Sequence, residues 1–205
     1  MDKKTANTLS YLFHPLLMPS LGFLIVLFLA DTSLALSFNE KTRVLILIFL
    51  GTCVFPALSL LLIYASSLSQ NLKIDKLFHK LFPFLMVTIF YTMVTYTFIE
   101  KQGVSDLLNG MIIGITFTVA FSTILAIFYQ ISIHICGIFG ILGILFAITL
   151  FANGHNLLYP TLALIIIGGS LASARLSLNL TGPKEIILSG LMAFTVCFLS
   201  VYILV

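Results

Sequence analysis

Several residues in this chain have types and spacing that suit a phosphate group. Lys73, Lys76, His79 and Lys80 fall just before one long apolar run. His134 opens another, Arg175 closes a third, and Thr181, Lys184 and Glu185 stand just ahead of the last. A guanidinium offers phosphate a planar, two-pronged fork, and an ammonium offers it a point charge. A helix N-terminus adds backbone N–H donors to an anion. If these groups converge, they suit the binding or hydrolysis of a phosphate-bearing ligand. Each also has a plainer reading. The lysines can meet anionic headgroups and fix topology, His134 can cap an interfacial turn, and Arg175 can reach the headgroups from the end of its helix. The sequence contains no glycine-rich nucleotide loop, no metal-ligand helix motif and no nucleophile-elbow serine.

The elements that carry these residues follow from composition. Of 205 residues, 60% are hydrophobic and only 8% charged, with a mean hydropathy of +1.18. Soluble domains carry about 25% charged residues, so this chain lacks the charges to cover a water-facing surface. The formal net charge of +3 is small and resides between the apolar runs, which argues against a nucleic-acid partner. Crossing a hydrocarbon core of about 30 Å takes roughly 20 apolar residues in a helix. Seven segments approach that length: Tyr11–Ala30, Val44–Ala65, Leu81–Ile99, Leu107–Tyr129, Ile131–Ala152, Leu157–Ala174 and Ile186–Val205. Continuous apolar runs exclude a membrane barrel, whose strands alternate. Backbone satisfaction in lipid then requires helices. The expected fold is all-α, a polytopic transmembrane helical bundle forming one domain over residues 1–205. It has seven spans, or six if the first is only half embedded. Pro15 and Pro19 interrupt the first segment, and Pro160, Gly168 and Gly169 are expected to shorten or bend the sixth.

Lys3 and Lys4 ahead of an apolar stretch resemble the start of a signal peptide, but no small-residue cleavage site follows. An uncleaved first span is the expectation. With seven spans, Lys3, Lys4, Lys73, Lys76, Lys80, Arg175 and Lys184 share one side, and Lys41, Arg43 and Lys101 the other. The positive-inside rule places the richer side, with the N-terminus, in the cytoplasm of a multi-pass cell-membrane protein. Gly110 and Gly114, and Gly137, Gly140 and Gly143, recur at helical spacing and read as sites of close helix approach. Cys53, Cys136 and Cys197 lie within apolar runs without metal-site spacing and read as small packing residues. His14 and His155 read as interfacial residues, with His155 in a turn on the face opposite the cluster.

Two stretches resemble the signatures of the type-2 phosphatidic acid phosphatase superfamily, the lipid phosphatase and haloperoxidase-like proteins. The last signature of that family is Ser-Arg, five residues, His, three residues, Asp. Here Ala174-Arg175 is followed by Thr181, Gly182, Pro183 and Glu185. Ser132-Ile133-His134 is similar to the family's Pro-Ser-Gly-His. The run from Arg175 to Pro183 also resembles a divergent bacterial branch that reads Arg-Leu-x-Leu-x-x-His-Thr-Pro. Lys76, Lys80 and Pro83 loosely meet the first signature, and the resemblance is clearest over residues 73–205. It implies a helical bundle and metal-independent hydrolysis of a lipid phosphate, with a phosphohistidine intermediate.

Carried over by position, His134 matches the acid that protonates the leaving alcohol, Arg175 a phosphate clamp, and Glu185 the carboxylate that orients the nucleophile. Lys76 and Lys80 stand as further phosphate-binding groups. Thr181 occupies the place of the nucleophilic histidine, and its hydroxyl has no nearby base in the sequence. Ala174 replaces Ser, while Ile131 and Ile133 replace Pro and Gly. The resemblance therefore implies an inactive or impaired relative that keeps a binding mouth for phospholipid or isoprenyl phosphate headgroups, with no cofactor and no metal. Two alternatives stay open: an active phosphatase using another nucleophile, for which His79 is the candidate, and a small carrier or structural membrane protein with no phosphate site.

Overall fold

The computed structural model describes residues 3–30, 34, 36–69, 76–100, 105–151 and 156–205, with side chains given except at residues 3 and 63–80. The described residues form nine α-helices and no strand. They are α1 (Lys3–Leu12), α2 (Met18–Phe28), α3 (Phe38–Phe49), α4 (Phe55–Ser69), α5 (Lys76–Glu100), α6 (Asp106–Phe128), α7 (Ile133–Phe151), α8 (Leu158–Ser177) and α9 (Pro183–Leu204). A 3-10 turn, Pro15–Leu17, joins α1 to α2, and a π-helical turn, Leu50–Val54, joins α3 to α4. Seven helical stretches are long and apolar enough to cross a membrane, so the chain is an all-α, multi-pass bundle. Many of the largest apolar side chains point outward, among them Leu62, Phe128, Ile166 and Ile203. Hydrocarbon rather than water is the surrounding that tolerates such a surface.

The prolines act differently from the sequence expectation. Pro19 is the second residue of α2 and Pro160 the third of α8. A proline in the first turn removes no intrahelical bond, because those N–H groups have no partner in any case. The sixth span is therefore not shortened and runs unbroken over 20 residues. Only Pro15 marks a break, where α1 ends and the chain turns through the 3-10 segment.

Helix α7 is the hub. It packs most extensively on α9 and also meets α8, α2 and α6. Of its apolar window 61% is buried, against 17–39% for the other six spans. In lipid, helices gain little from hiding apolar surface from one another, so association relies on close backbone approach and hydrogen bonds. A Cβ on Gly143 would collide with the Phe194 carbonyl oxygen of α9. One on Gly114 of α6 would stand 3.0 Å from the Ser200 Cβ and 3.1 Å from the Cys197 Cα. Ser200 also donates its hydroxyl to the Gly110 carbonyl, at 2.6 Å. Between α5 and α6 the contact is a pair of hydroxyl rungs, Thr88 with Thr123 at 2.9 Å and Thr95 with Thr116 at 2.7 Å.

Two glycine substitutions separate helix approach from helix propensity. Gly143→Ala pushes α9 away and is expected to destabilise the protein by about 1–3 kcal/mol, the usual range for overpacking. Gly169→Ala meets nothing within 4 Å and is expected to leave the melting temperature in detergent unchanged or slightly raised. Thermal unfolding of both variants in one detergent checks this; equal behaviour would contradict the close α7–α9 approach.

Candidate functional site

At one end of the bundle, a hydrogen-bonded chain fixes the segment that leads into α7. Ser132 is fully buried, and its backbone N–H donates to the Ser189 hydroxyl of α9 at 3.0 Å. That hydroxyl in turn donates to the Glu185 carbonyl at 2.6 Å. Cys136, one turn further along, contacts the Ser189 carbonyl and the Ser122 hydroxyl of α6, each at 3.6 Å. Ser189 therefore uses its hydroxyl both ways and ties α7 to α9 just below His134. Nothing in the sequence singled out Ser189, Ser122 or Cys136 for this role, because each reads alone as a small residue in an apolar run.

Arg175 is placed by the way α8 ends. The Leu180 N–H bonds back to the Arg175 carbonyl at 3.1 Å, and the Asn179 N–H to the Leu176 carbonyl at 3.0 Å. Asn179 adopts a φ of 53°. This pair of bonds around a left-handed residue is a Schellman cap, which asparagine tolerates better than most side chains. The chain reverses within five residues and starts α9 with Pro183 at its first position. Arg175, in the last turn of α8, is half-buried and close enough to His134 for their charges to interact.

The expected site residues have distinct surroundings. His134, second in α7, is partly buried with its Nδ1 unpartnered. Arg175 Nε and the Thr181 Oγ1 are likewise buried without a hydrogen-bond partner, as is the Ser132 hydroxyl. Thr181 thus has no base bonded to it, and an alcohol without one is a poor nucleophile. Glu185 accepts the Gly182 N–H at 2.8 Å, so its carboxylate caps its own helix. Lys184 is exposed. Lys76 and Lys80 lie in the first turns of α5, but their side chains and that of His79 fall outside the described ones, as do Lys73 and His155 altogether.

His14, expected as an interfacial residue, is exposed and has His134 as a neighbour. Its ring centroid lies 6.1 Å from that of His134, with the planes at 75°. The residue caps the 3-10 turn, its Nδ1 accepting the Leu16 N–H at 3.4 Å. Helix α1 holds this corner in place by packing on α8. Its inward face is the fully buried Ala6, followed by Leu9 and Phe13 packed against the core. The Ser10 backbone comes within hydrogen-bonding reach of the His134 ring.

Both histidines line a cavity of about 260 Å³ that runs down between α2, α5, α6 and α7. Below the rings its wall is apolar, formed by residues such as Val87, Ile115, Val119 and Ile141, with the hydroxyls of Thr118 and Ser122 among the few polar groups. Arg175 does not line it and stands to the side of His134. The arrangement is a hydrocarbon-compatible pocket headed by imidazoles, with a guanidinium alongside and no carboxylate free to neutralise it among the described residues. Compared with known proteins, the chain matches no family model, no curated protein and no solved structure.

Ser189→Ala deprives the buried Ser132 N–H of its acceptor. A buried donor left unmade costs about 1–3 kcal/mol, so the melting temperature in detergent is expected to fall. A neutral Ser189→Ala would show that this bond does not hold the start of α7.

Proposed function

We propose that this protein is a non-catalytic, or much impaired, relative of the type-2 phosphatidic acid phosphatases. It holds a phosphate-bearing lipid headgroup at a mouth made by His134 and Arg175, with Lys76 and Lys80 on the same end of the bundle. One observation carries the reading. Two cationic or protonatable side chains from different helices come within electrostatic reach of each other, each with a buried nitrogen left unpartnered. Burying such groups without hydrogen bonds is costly; an oxyanion is a partner for the Arg175 Nε–H, and for the His134 Nδ1 when the ring carries a proton there. The apolar cavity below His134 supports a ligand whose phosphate is attached to hydrocarbon. The resemblance of Ser132–His134 and Arg175–Glu185 to the phosphatase signatures supports the same class of ligand.

Binding without turnover follows from two details. The Thr181 hydroxyl has no base to activate it, and the Glu185 carboxylate is engaged in a helix cap. By charge distribution, the N-terminus and this mouth face the cytoplasm of the cell membrane.

The experiment measures decyl phosphate binding and phosphate release by the purified full chain in maltoside micelles. Binding is expected, weakened at least about tenfold in Arg175→Ala and in His134→Ala, as for loss of a charge-assisted hydrogen bond. Release of phosphate from phosphatidic acid or isoprenyl diphosphates is expected to be negligible, and Thr181→His is the variant in which it could be recovered. Robust release by the unmodified protein, abolished in His134→Ala, would refute the non-catalytic reading. Indifference of both binding and thermal stability to lipid phosphates, with Arg175→Ala behaving like the parent, would remove the phosphate site altogether.

A further inference from the structure

We infer that His14 is a third ligand-binding residue of this site, donating a hydrogen bond from Nε2 to the same phosphate group that His134 and Arg175 hold. The inference rests on the phosphate-binding reading above and extends it to a residue from the opposite end of the chain. Its first support is placement. The His14 and His134 rings meet edge to face, with centroids 6.1 Å apart, and both line one cavity. An oxyanion lying alongside both rings, not between them, would touch each through a different oxygen.

The second support is the protonation state imposed by the backbone. Because His14 Nδ1 accepts the Leu16 N–H, the hydrogen of a neutral His14 ring resides on Nε2. Its free nitrogen is then a donor, suited to an oxyanion and unsuited to nucleophilic attack. This also argues against His14 replacing the histidine missing at Thr181.

The third support is rigidity. His14 sits at the only break in the first span, where the fixed φ of Pro15 begins the 3-10 turn. Ala6, Leu9 and Phe13 anchor the preceding helix. A side chain held at both its backbone neighbours and its own ring nitrogen loses little further freedom on binding. No carboxylate approaches either imidazole among the described residues: Glu185 is committed to the Gly182 N–H, and the charged neighbour of His134 is Arg175. The head of the cavity is thus built for an anion.

The test uses the full chain in maltoside micelles with decyl phosphate as the probe. His14→Asn retains a side-chain oxygen that can cap the Leu16 N–H, as asparagine commonly does at helix starts, but withdraws the imidazole donor. Binding is expected to weaken about tenfold, the effect of losing one hydrogen bond to a charged group, with the melting temperature of the free protein unchanged. His14→Gln, whose amide N–H extends toward the Nε2 position, is expected to recover part of the affinity. Should His14→Asn bind like the parent while Arg175→Ala loses binding, the role of His14 is refuted and the phosphate site stands. A second measurement avoids any folding defect: nitrogen NMR of the unmodified, histidine-labelled protein during titration. The His14 and His134 ring signals are expected to move together, and His134 moving alone would overturn the inference. A parent protein that binds no decyl phosphate would refute the phosphate site itself, and this inference with it.

Discussion

Everything at the polar end of this bundle depends on how closely α7 can approach α9. Water cannot drive two apolar helices together once both are in hydrocarbon, so their contact must be made by fit. Gly143 of α7 faces the Phe194 backbone, and Gly140 faces the Cys197 sulfur at a would-be Cβ distance of 3.2 Å. Gly190 of α9 returns the favour against Ile135 and Phe139. Small residues on both helices thus form one continuous seam. Its upper end is closed by the Ser132–Ser189–Glu185 hydrogen bonds. Sliding α9 by a turn would break those bonds and jam side chains into backbone, so the height of His134 relative to Thr181 and Glu185 is set by the seam.

The rest of the site is hung from that seam by local backbone devices. The Schellman cap around Asn179 ends α8 sharply and fixes the last turn, from which Arg175 acts electrostatically on His134. The Pro15 break turns the first span so that His14 meets the same ring. A guanidinium in a weakly polar setting interacts more strongly with an anion than it would in water. The Glu185 carboxylate, meanwhile, is engaged with the Gly182 N–H. Among the described residues, no base is bonded to the buried Thr181 hydroxyl. Capture and turnover are separable, since fixed cations act on charge whereas hydrolysis also needs an attacking group with a base or a suitable lone pair.

Much of the fold was legible in residue order. Spans three to seven were located to within three residues at each end because burial of a helical backbone in lipid demands an unbroken apolar run, and such runs are visible one residue at a time. The glycines of α6 and α7 were legible as contact points for the same reason. The prolines were not: Pro15, Pro19 and Pro160 look alike in sequence, and only the position of each within its turn decides whether a hydrogen bond is lost. His134 and Arg175 stood out as polar residues at segment ends. His14 read only as an interfacial residue, because the ring it meets lies on a helix far along the chain.

By itself, then, the sequence determined a multi-pass helical bundle, its approximate spans, and a set of polar residues at helix ends that hydrocarbon would not tolerate without cause. Only the tertiary structure decided which of those residues meet. It joined His14 to His134, turned Glu185 into a cap, and made Ser189 the tie beneath the site. The division has a physical origin. Partition into lipid depends on each segment's own composition, whereas a hydrogen bond or a ring contact depends on distances that exist only after helices have packed.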